Sequence, residues 1–210
     1  MEQMKHQLAM AEIAEIAEIL SEFYKFPTED FYQHINNEDI QLELKGLLQK
    51  LELPYDIQIF KPFADFEEMK RAYMHTFVGI DRPAAVPVES VYKVWTTDES
   101  ASMNFAKSKG YLMGDSALHI QYLLEQFQLE IPRELGKKPD HLAVLFELFG
   151  YLIIHQPPED VLAFVKDHFD WLDDFKAKMT EIEGHEFYLY ITELSIELLK
   201  ECKQIIVSKK

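Results

Sequence analysis

Apolar side chains recur along most of this chain at steps of three and four residues, the spacing of one face of an α-helix. In the first 25 residues, Ile13, Ile16 and Leu20 lie on that face, while glutamates occupy the opposite side. Proline and glycine interrupt the pattern at intervals, and β-branched residues do not gather into alternating runs. The pattern predicts helices over residues 2–25, 28–35, 38–53, 65–78, 98–109, 115–127, 140–154, 158–169, 171–179 and 183–206.

This set of elements predicts an all-α fold, a bundle of nine or ten helices packed antiparallel in two closely packed halves. The best candidate for a boundary is the polar connector at residues 129–138, which contains Pro132 and Gly136. We therefore expect an N-terminal helical part at residues 1–136 and a C-terminal helical part at residues 137–210. Both belong to one continuous fold.

The second half is organised by the stretch at residues 137–154, in which a charged pair and a proline precede a long apolar helical run. Pro139 has a fixed φ and no N–H, so it suits the first turn of that helix. Asp140 follows, and its carboxylate can accept a free N–H at the helix start and favours the positive end of the dipole. His141 then lies at the junction between the connector and the helix.

The composition is that of a folded protein, with 48% apolar and 13% aromatic residues. The net charge of −16 disfavours nucleic acid and would attract a basic partner, although excess acid can also serve solubility alone. Cys202 is the only cysteine, which predicts a reducing compartment and a buried, inert thiol. The acidic N-terminus is unlike a secretory signal, and no apolar run is long enough for a bilayer, so we expect a soluble, cytoplasmic protein without membrane insertion.

The sequence offers little for catalysis. It has no glycine-rich phosphate loop, no His-Glu-x-x-His and no paired cysteines for zinc. We therefore predict no catalytic residue, no metal and no cofactor. A hydrolase using Ser90 as nucleophile beside His141 is kept as an alternative, although nothing in the spacing demands it.

A binding surface is the better supported interpretation. Aromatic residues gather around a proline-containing loop that carries Glu89, and the Asp-His pair lies beyond the connector. If the two groups meet in space, they form an apolar groove with an acidic rim, suited to a segment that combines basic residues with a hydrophobic stretch. The alternative is that the aromatics are ordinary core and the acids ordinary surface. The candidate binding residues are Tyr73, Phe77, Pro87, Glu89, Tyr92, Asp140 and His141.

Four segments in this order resemble the TorD/DmsD (NarJ-like) family of chaperones for molybdenum-cofactor oxidoreductases. Residues 73–77 with Gly79 look like its aromatic-x-x-Leu-Phe segment, and residues 87–92 are similar to its Pro-aromatic-Glu-Ser-x-Tyr segment. Residues 140–143 resemble its Asp-His helix start, and residues 164–175 its C-terminal Phe-His-Trp-Phe segment. The sequence departs from the family where Lys137 and Lys138 replace the usual Glu-Pro before the Asp-His pair.

The resemblance implies a TorD-like helical fold and a redox-enzyme maturation chaperone that is not an enzyme. Such a protein binds the twin-arginine signal peptide, the body, or both, of a molybdopterin oxidoreductase catalytic subunit of the DMSO or TMAO reductase type. It holds this client for cofactor insertion before export. An arginine could then pair with Glu89 or Asp140, His141, neutral or weakly charged, would be a hydrogen-bonding partner, and the aromatics and Pro87 would hold the apolar stretch.

The family leaves an alternative function and an oligomeric question open. The chain could be a NarJ-like assembly factor that recognises a folded, non-exported client such as a nitrate-reductase-type subunit. It could also be a monomer or a domain-swapped dimer that exchanges its halves at the 129–139 connector.

Overall fold

A computed structural model describes residues 2–53, 57, 62–79, 83–184 and 186–207. The helices in these ranges are α1 (Glu2–Tyr24), α2 (Glu29–Asn36), α3 (Asp39–Lys50), α4 (Phe66–Tyr73), α5 (Glu89–Tyr92), α6 (Asp115–Phe127), α7 (Leu142–His155), α8 (Pro158–His168), α9 (Leu172–Met179) and α10 (Glu186–Val207). A π-helical turn, Met74–Val78, prolongs α4, and a 3-10 turn, Arg133–Leu135, lies in the connector before α7. The described part contains an isolated β-bridge but no strand, which confirms the predicted all-α class.

Several helix ends lie where local side chains predicted them. The hydroxyl of Thr28 accepts a backbone N–H in the first turn of α2. Asp65 accepts the N–H of Glu68 at 2.7 Å, while the carboxylate of Glu68 accepts the N–H of Ala64 at 2.5 Å, a variant of the capping box. Gly79, with a φ of 61°, ends the π-helical turn. These boundaries follow from contacts within a few residues of the sequence.

The helix predicted over residues 98–109 is wrong, because this segment forms turns. The carboxylate of Asp98 accepts the backbone N–H and the hydroxyl of Ser100, each at 2.8 Å. The ammonium of Lys107 donates to the carbonyl oxygens of Thr96 and Asp98 at 3.2 and 2.9 Å. Such local side-chain bonds compete with helical hydrogen bonds, and here they prevail.

Helix α7 lies at the centre of the hydrophobic core and packs along α1. Phe146 on α7 is fully buried, and its ring stacks on Tyr24 of α1 at a centroid distance of 6.0 Å. The helices approach closely at Gly150, where an added Cβ would lie 3.3 Å from the carbonyl oxygen of Ala14. The hydroxyl of Tyr24 also lies 3.2 Å from that of Ser195 on α10. One core therefore includes elements from both predicted parts, and the division at residues 136 and 137 stays a prediction.

Two further expectations concern the loop before α5 and the cysteine. Residues 80–82 of the loop lie outside the described residues, and so do residues 54–56 and 58–61, where no helix was predicted. Ala85 in the described remainder is fully buried, and its N–H donates to the carbonyl of Thr76 at 2.9 Å. Cys202 is buried as predicted, and burial raises the pKa of its thiol to about 12. None of the described helices combines the length and apolar character needed to cross a bilayer.

Candidate functional site

The segment that opens α5 and the segment that opens α7 are joined directly, although they are 50 positions apart. Val88 and His141 form an isolated antiparallel bridge. The N–H of Glu89 donates to the carbonyl oxygen of Asp140 at 3.0 Å, and a carboxylate oxygen of Asp140 accepts the N–H of Ser90 at 2.7 Å. The two segments that carried the predicted acidic residues therefore form one joint.

The prediction that Asp140 caps its own helix is wrong. The N-cap of α7 is His141, whose Nδ1 accepts the N–H of Ala143 at 3.2 Å, and the helix begins only at Leu142. Pro139 consequently precedes the helix and does not occupy its first turn. The carboxylate of Asp140 instead satisfies a free N–H in the first turn of α5, which is too short to satisfy its own donors.

His141 is neutral, as expected. Its side chain is 4% exposed, and burial, followed by the nearby charge of Lys138, lowers its pKa to about 3. Because its Nδ1 already accepts a backbone N–H, it does not act as a base toward Ser90, whose hydroxyl makes no hydrogen bond within the described ranges. The hydrolase alternative thus lacks the nucleophile–base contact that it needs.

A buried chain of hydrogen bonds runs from Glu89 toward the surface. Glu89 is fully buried, and its Oε2 lies 2.9 Å from Nδ1 of His168 on α8. Nε2 of His168 lies 2.8 Å from Nδ1 of His119 on α6, an exposed residue. The ammonium of Lys93 lies 2.8 Å from the other carboxylate oxygen of Glu89, and the indole N–H of Trp171 donates to the carbonyl of His168 at 2.8 Å. The carboxylate charge is therefore compensated by Lys93 and hydrogen-bonded by an imidazole.

His119 and His168 of this hydrogen-bond chain line an open groove of about 650 Å³, which is the candidate functional site. The groove contains four aspartates, two lysines and an aromatic wall; its lining residues are Tyr92, Lys93, Val94, Thr97, Lys109, Asp115, Ser116, His119, Asp167, His168, Asp170, Trp171 and Asp174. Lys93 pairs with Asp170 at 2.7 Å, and Lys109 pairs with Asp174 at 2.8 Å. In the part of the chain that the structure describes, no three or more His, Cys, Asp or Glu side chains are grouped to hold a metal ion.

The aromatic wall of the groove is formed by Tyr92 and Trp171, whose rings stack with a centroid distance of 5.1 Å. The hydroxyl of Tyr92 is buried and makes no hydrogen bond to any described residue. Burial, followed by the charge of Asp174, raises the pKa of this phenol. The hydroxyl is therefore a neutral donor without a partner beside an acidic groove.

Tyr73 and Phe77 lie deeper than the groove. The hydroxyl of Tyr73 donates to the carbonyl oxygen of Tyr24 at 3.0 Å. Phe77 is 3% exposed and packs edge-on against Tyr188, with a ring-centroid distance of 4.6 Å. Phe77 also stacks on Phe175, which in turn contacts Tyr92 of the groove wall. The two aromatics thus support the groove from behind and do not line it.

All seven predicted binding residues are buried, and Tyr92 is the one that lines the groove. Pro87, Glu89, Asp140 and His141 form the joint and the floor below it. The candidate list omitted the residues that the groove exposes to a ligand: Lys93, His119, Asp167, Asp170 and Asp174. They lie on three helices and on two segments between helices, so their positions along the sequence carried no signal of a shared site.

Comparison with known proteins gives one match to a family model. The model is described as the nitrate reductase delta subunit, and it matches residues 36–182. This range contains the joint, the groove and the Glu89–His168–His119 chain. The match therefore covers the candidate site together with most of the fold.

Similar proteins include two chaperones named TorD. The chain is 27% identical to TorD of Shewanella pealeana over 134 residues, which are 63% of this chain and 58% of the relative. It is 25% identical to TorD of Shewanella piezotolerans over 130 residues, again 58% of the relative. A probable Tat proofreading chaperone, DmsD of Haemophilus influenzae, is 22% identical over 161 residues, 73% of this chain and 72% of the relative. The chain thus matches less than two thirds of the length of the two TorD proteins.

Proposed function

Because the chain belongs to the nitrate reductase delta subunit family, which includes the TorD and DmsD chaperones, we propose that it is a maturation chaperone for a molybdopterin-dependent reductase. It binds the twin-arginine signal peptide, the body, or both, of a catalytic subunit of the DMSO or TMAO reductase type. It holds this client in the cytoplasm for cofactor insertion before export. It works by binding and not by catalysis.

The observation that carries this proposal is the acidic groove with an aromatic wall. Four aspartates line the groove against two lysines, and the whole chain has a net charge of −16. A positively charged peptide is attracted to such a surface, and guanidinium groups can pair bidentately with its carboxylates. The Tyr92–Trp171 wall offers contact area for the stem of an arginine or for neighbouring apolar residues.

The seven predicted residues have two roles in this proposal. Tyr92 contacts the ligand directly, since its ring forms part of the wall that lines the groove. The other six hold the groove in shape: Tyr73 and Phe77 behind its wall, and Pro87, Glu89, Asp140 and His141 in the joint and floor. Substitutions among these six reduce peptide binding together with thermal stability, whereas substitution of an exposed lining residue such as Asp174 reduces binding alone.

Isothermal titration with a synthetic twin-arginine peptide, and with the same peptide carrying two lysines, tests the proposal. The arginine peptide should bind more tightly, because lysine lacks the planar fork that pairs with a carboxylate. Adjacent aspartates on α9 provide a matched pair, since Asp174 lines the groove and Asp173 does not. Asp174→Asn should weaken binding about three- to fivefold, the size expected for a partly exposed charge pair, and Asp173→Asn should leave it unchanged. Absence of binding by the unaltered protein refutes the peptide-binding proposal.

A second candidate function is that of an assembly factor for a folded client that is not exported, as in the nitrate-reductase branch. It is favoured by exposed apolar side chains beside the groove. Leu118 and Tyr122, four residues apart on α6, are 52% and 56% exposed, and Tyr111 and Leu112 before the helix are 45% and 48% exposed. Capture of a molybdoenzyme subunit with and without its leader, together with titration of the isolated signal peptide, distinguishes the functions, because a factor for a folded, non-exported client retains the leaderless protein and does not bind the peptide.

Exchange of the C-terminal part between two copies at the 129–139 connector would give a dimer built from the same contacts. Light scattering during size-exclusion chromatography distinguishes this dimer from a monomer. A swapped dimer retains the joint, because the segment at Asp140 and His141 then meets the α5 segment of the other copy.

A further inference from the structure

The hydrogen bonds that link Glu89, His168 and His119 determine whether His119 presents a donor or an acceptor to the groove. A carboxylate is an acceptor only, so Nδ1 of His168, at 2.9 Å from Glu89, must carry a hydrogen. In a neutral His168 the other nitrogen, Nε2, is then a lone-pair acceptor. It can only receive a hydrogen from Nδ1 of His119 at 2.8 Å. A neutral His119 held in this way has its lone pair on Nε2.

The free nitrogen of His119 is the one that a ligand can reach. His119 is exposed and lines the groove, while its Nδ1 is occupied by the buried His168. The outer edge of the ring therefore carries Nε2 as an acceptor beside Asp167 and Asp170, which also line the groove. A guanidinium group placed between these two carboxylates can donate to both of them and to Nε2 of His119.

One proton added to the two imidazoles changes Nε2 of His119 from an acceptor to a donor. If His168 takes it, both of its nitrogens carry hydrogens, Nδ1 of His119 becomes the acceptor, and Nε2 of His119 carries a hydrogen. If His119 takes it, both of its own nitrogens carry hydrogens. Nε2 of His119 becomes a donor in either case, and the pair gains a positive charge.

We propose that Nε2 of His119 is a hydrogen-bond acceptor for a guanidinium group of the client's leader, and that uptake of one proton by the His119–His168 pair abolishes this contact. The inference rests on the proposed function and adds a specificity-determining residue and a pH dependence to it. Lysine and arginine donors both suit a lone pair, but the planar guanidinium fork can also pair bidentately with a neighbouring carboxylate, which an ammonium group does not do.

Burial favours the neutral, acceptor form of His119, and the nearby carboxylates oppose it. Partial burial, followed by His168, lowers the pKa of His119, while Asp167 and Glu89 act in the opposite direction. Lys93 from the α5 side neutralises Glu89, and it also pairs with Asp170. At the start of α6, Asp115 is engaged by the hydroxyl groups of Thr96 and Thr97. The ring of Phe164 packs against His168, with a centroid distance of 5.0 Å, and supplies no charge.

The tautomer can be measured without any ligand. Long-range ¹H–¹⁵N correlation spectra of the unliganded full chain at pH 7.5 should show His119 with its hydrogen on Nδ1. A free imidazole in water prefers the hydrogen on Nε2, so the two cases are distinguishable. A hydrogen on Nε2 of neutral His119 overturns the inference, whatever the peptide does.

The contact is tested by titrating a twin-arginine peptide that has blocked ends and lacks His, Asp and Glu, so that only the protein changes its charge between pH 5.5 and 7.5. The unaltered protein should bind about tenfold more weakly at pH 5.5, the size of one lost charge-assisted hydrogen bond. His119→Ala should bind about tenfold more weakly at pH 7.5 and show little further change with pH. His34→Ala, which removes an exposed imidazole on α2, should behave like the unaltered protein.

The outcomes separate the inference from the function on which it rests. If the unaltered protein binds and His119→Ala binds equally well at pH 7.5, the inference is overturned and the proposed function is retained. A pH dependence of the same size in His119→Ala also overturns it, because the contact that is lost at low pH is then not the one made by Nε2 of His119. If the unaltered protein does not bind the peptide at either pH, the proposed function fails and the inference fails with it.

Discussion

Removal of the Asp140 carboxylate tests whether the joint between α5 and α7 stabilises the fold. The carboxylate is 1% exposed and accepts the N–H of Ser90 at 2.7 Å. Asp140→Ala deletes a charge-assisted hydrogen bond of about 1.5–3 kcal/mol and leaves a buried N–H unsatisfied, at about 1–3 kcal/mol. These two costs overlap, so we expect a loss of about 2–4 kcal/mol in the free energy of unfolding.

Asp65 provides a control with the same geometry and a different environment. Its carboxylate accepts the N–H of Glu68, also at 2.7 Å, but at an exposed helix start where water can replace it. Asp65→Ala should cost about 1 kcal/mol, as N-cap substitutions do. Asp140→Asn keeps an acceptor oxygen and loses the charge, so its cost should lie between those of the two alanine variants.

Differential scanning calorimetry measures the difference. For a chain of this size, 1 kcal/mol shifts the Tm by about 2–4 °C, so Asp140→Ala should lower it by about 4–16 °C and Asp65→Ala by about 2–4 °C. Equal shifts for Asp140→Ala and Asp65→Ala would refute the reasoning, because burial would then add nothing to the bond. A smaller shift for Asp140→Ala than for Asp140→Asn would also refute it.

Two further predictions concern pH and backbone packing. The folded-state pKa of His141 is about 3 against an ordinary value of 6.5, so the unfolded chain binds more protons in this window, and His141 contributes stability that is lost as the pH falls from 6.5 toward 3. Urea unfolding at several pH values should show this loss as a fall in the free energy of unfolding. In His141→Asn the free energy of unfolding should depend less steeply on pH; an unchanged dependence contradicts the low pKa of His141. An added Cβ at Gly114 would lie 2.5 Å from the carbonyl oxygen of Trp95, so Gly114→Ala should destabilise the protein by about 1–3 kcal/mol. Gly46 in α3 has open space around it, so Gly46→Ala should stabilise by about 0.5–1 kcal/mol; thermal shifts of the same sign in both variants would contradict this reasoning.

The sequence was sufficient for most helices, because their limits are set locally. Thr28 and Gly79 act through backbone groups within five residues of themselves, and the apolar spacing that buries α7 is visible without tertiary information. The helix prediction for residues 98–109 failed for a local reason as well. The turn at Asp98 and the reach of Lys107 to carbonyl oxygens outcompete a helix that has no regular apolar face.

The site was less predictable, because its contacts join distant parts of the chain. Asp140 was expected at a helix cap, and its actual partner, Ser90, is 50 positions away. His119 and His168 are separated by 49 positions, and nothing in the spacing of either one indicates the other. The resemblance to the chaperone family identified the segments that contain Glu89 and His168. It did not indicate which of their side chains meet in space or which residues line the groove.

The two lysines in the groove are not equivalent, and this difference determines how a cationic ligand can enter. Lys93 compensates Glu89, which is fully buried, so its displacement would leave a buried charge unpaired at a cost of several kcal/mol. Lys109 and Asp174 are 57% and 60% exposed in their side chains, and such a pair is worth about 0–1 kcal/mol. In the proposed complex, a cationic ligand replaces Lys109 at little cost and leaves Lys93 in place. The side of the groove at Asp174 is therefore the side on which the cation can be exchanged, whereas Lys93 stays paired with Glu89.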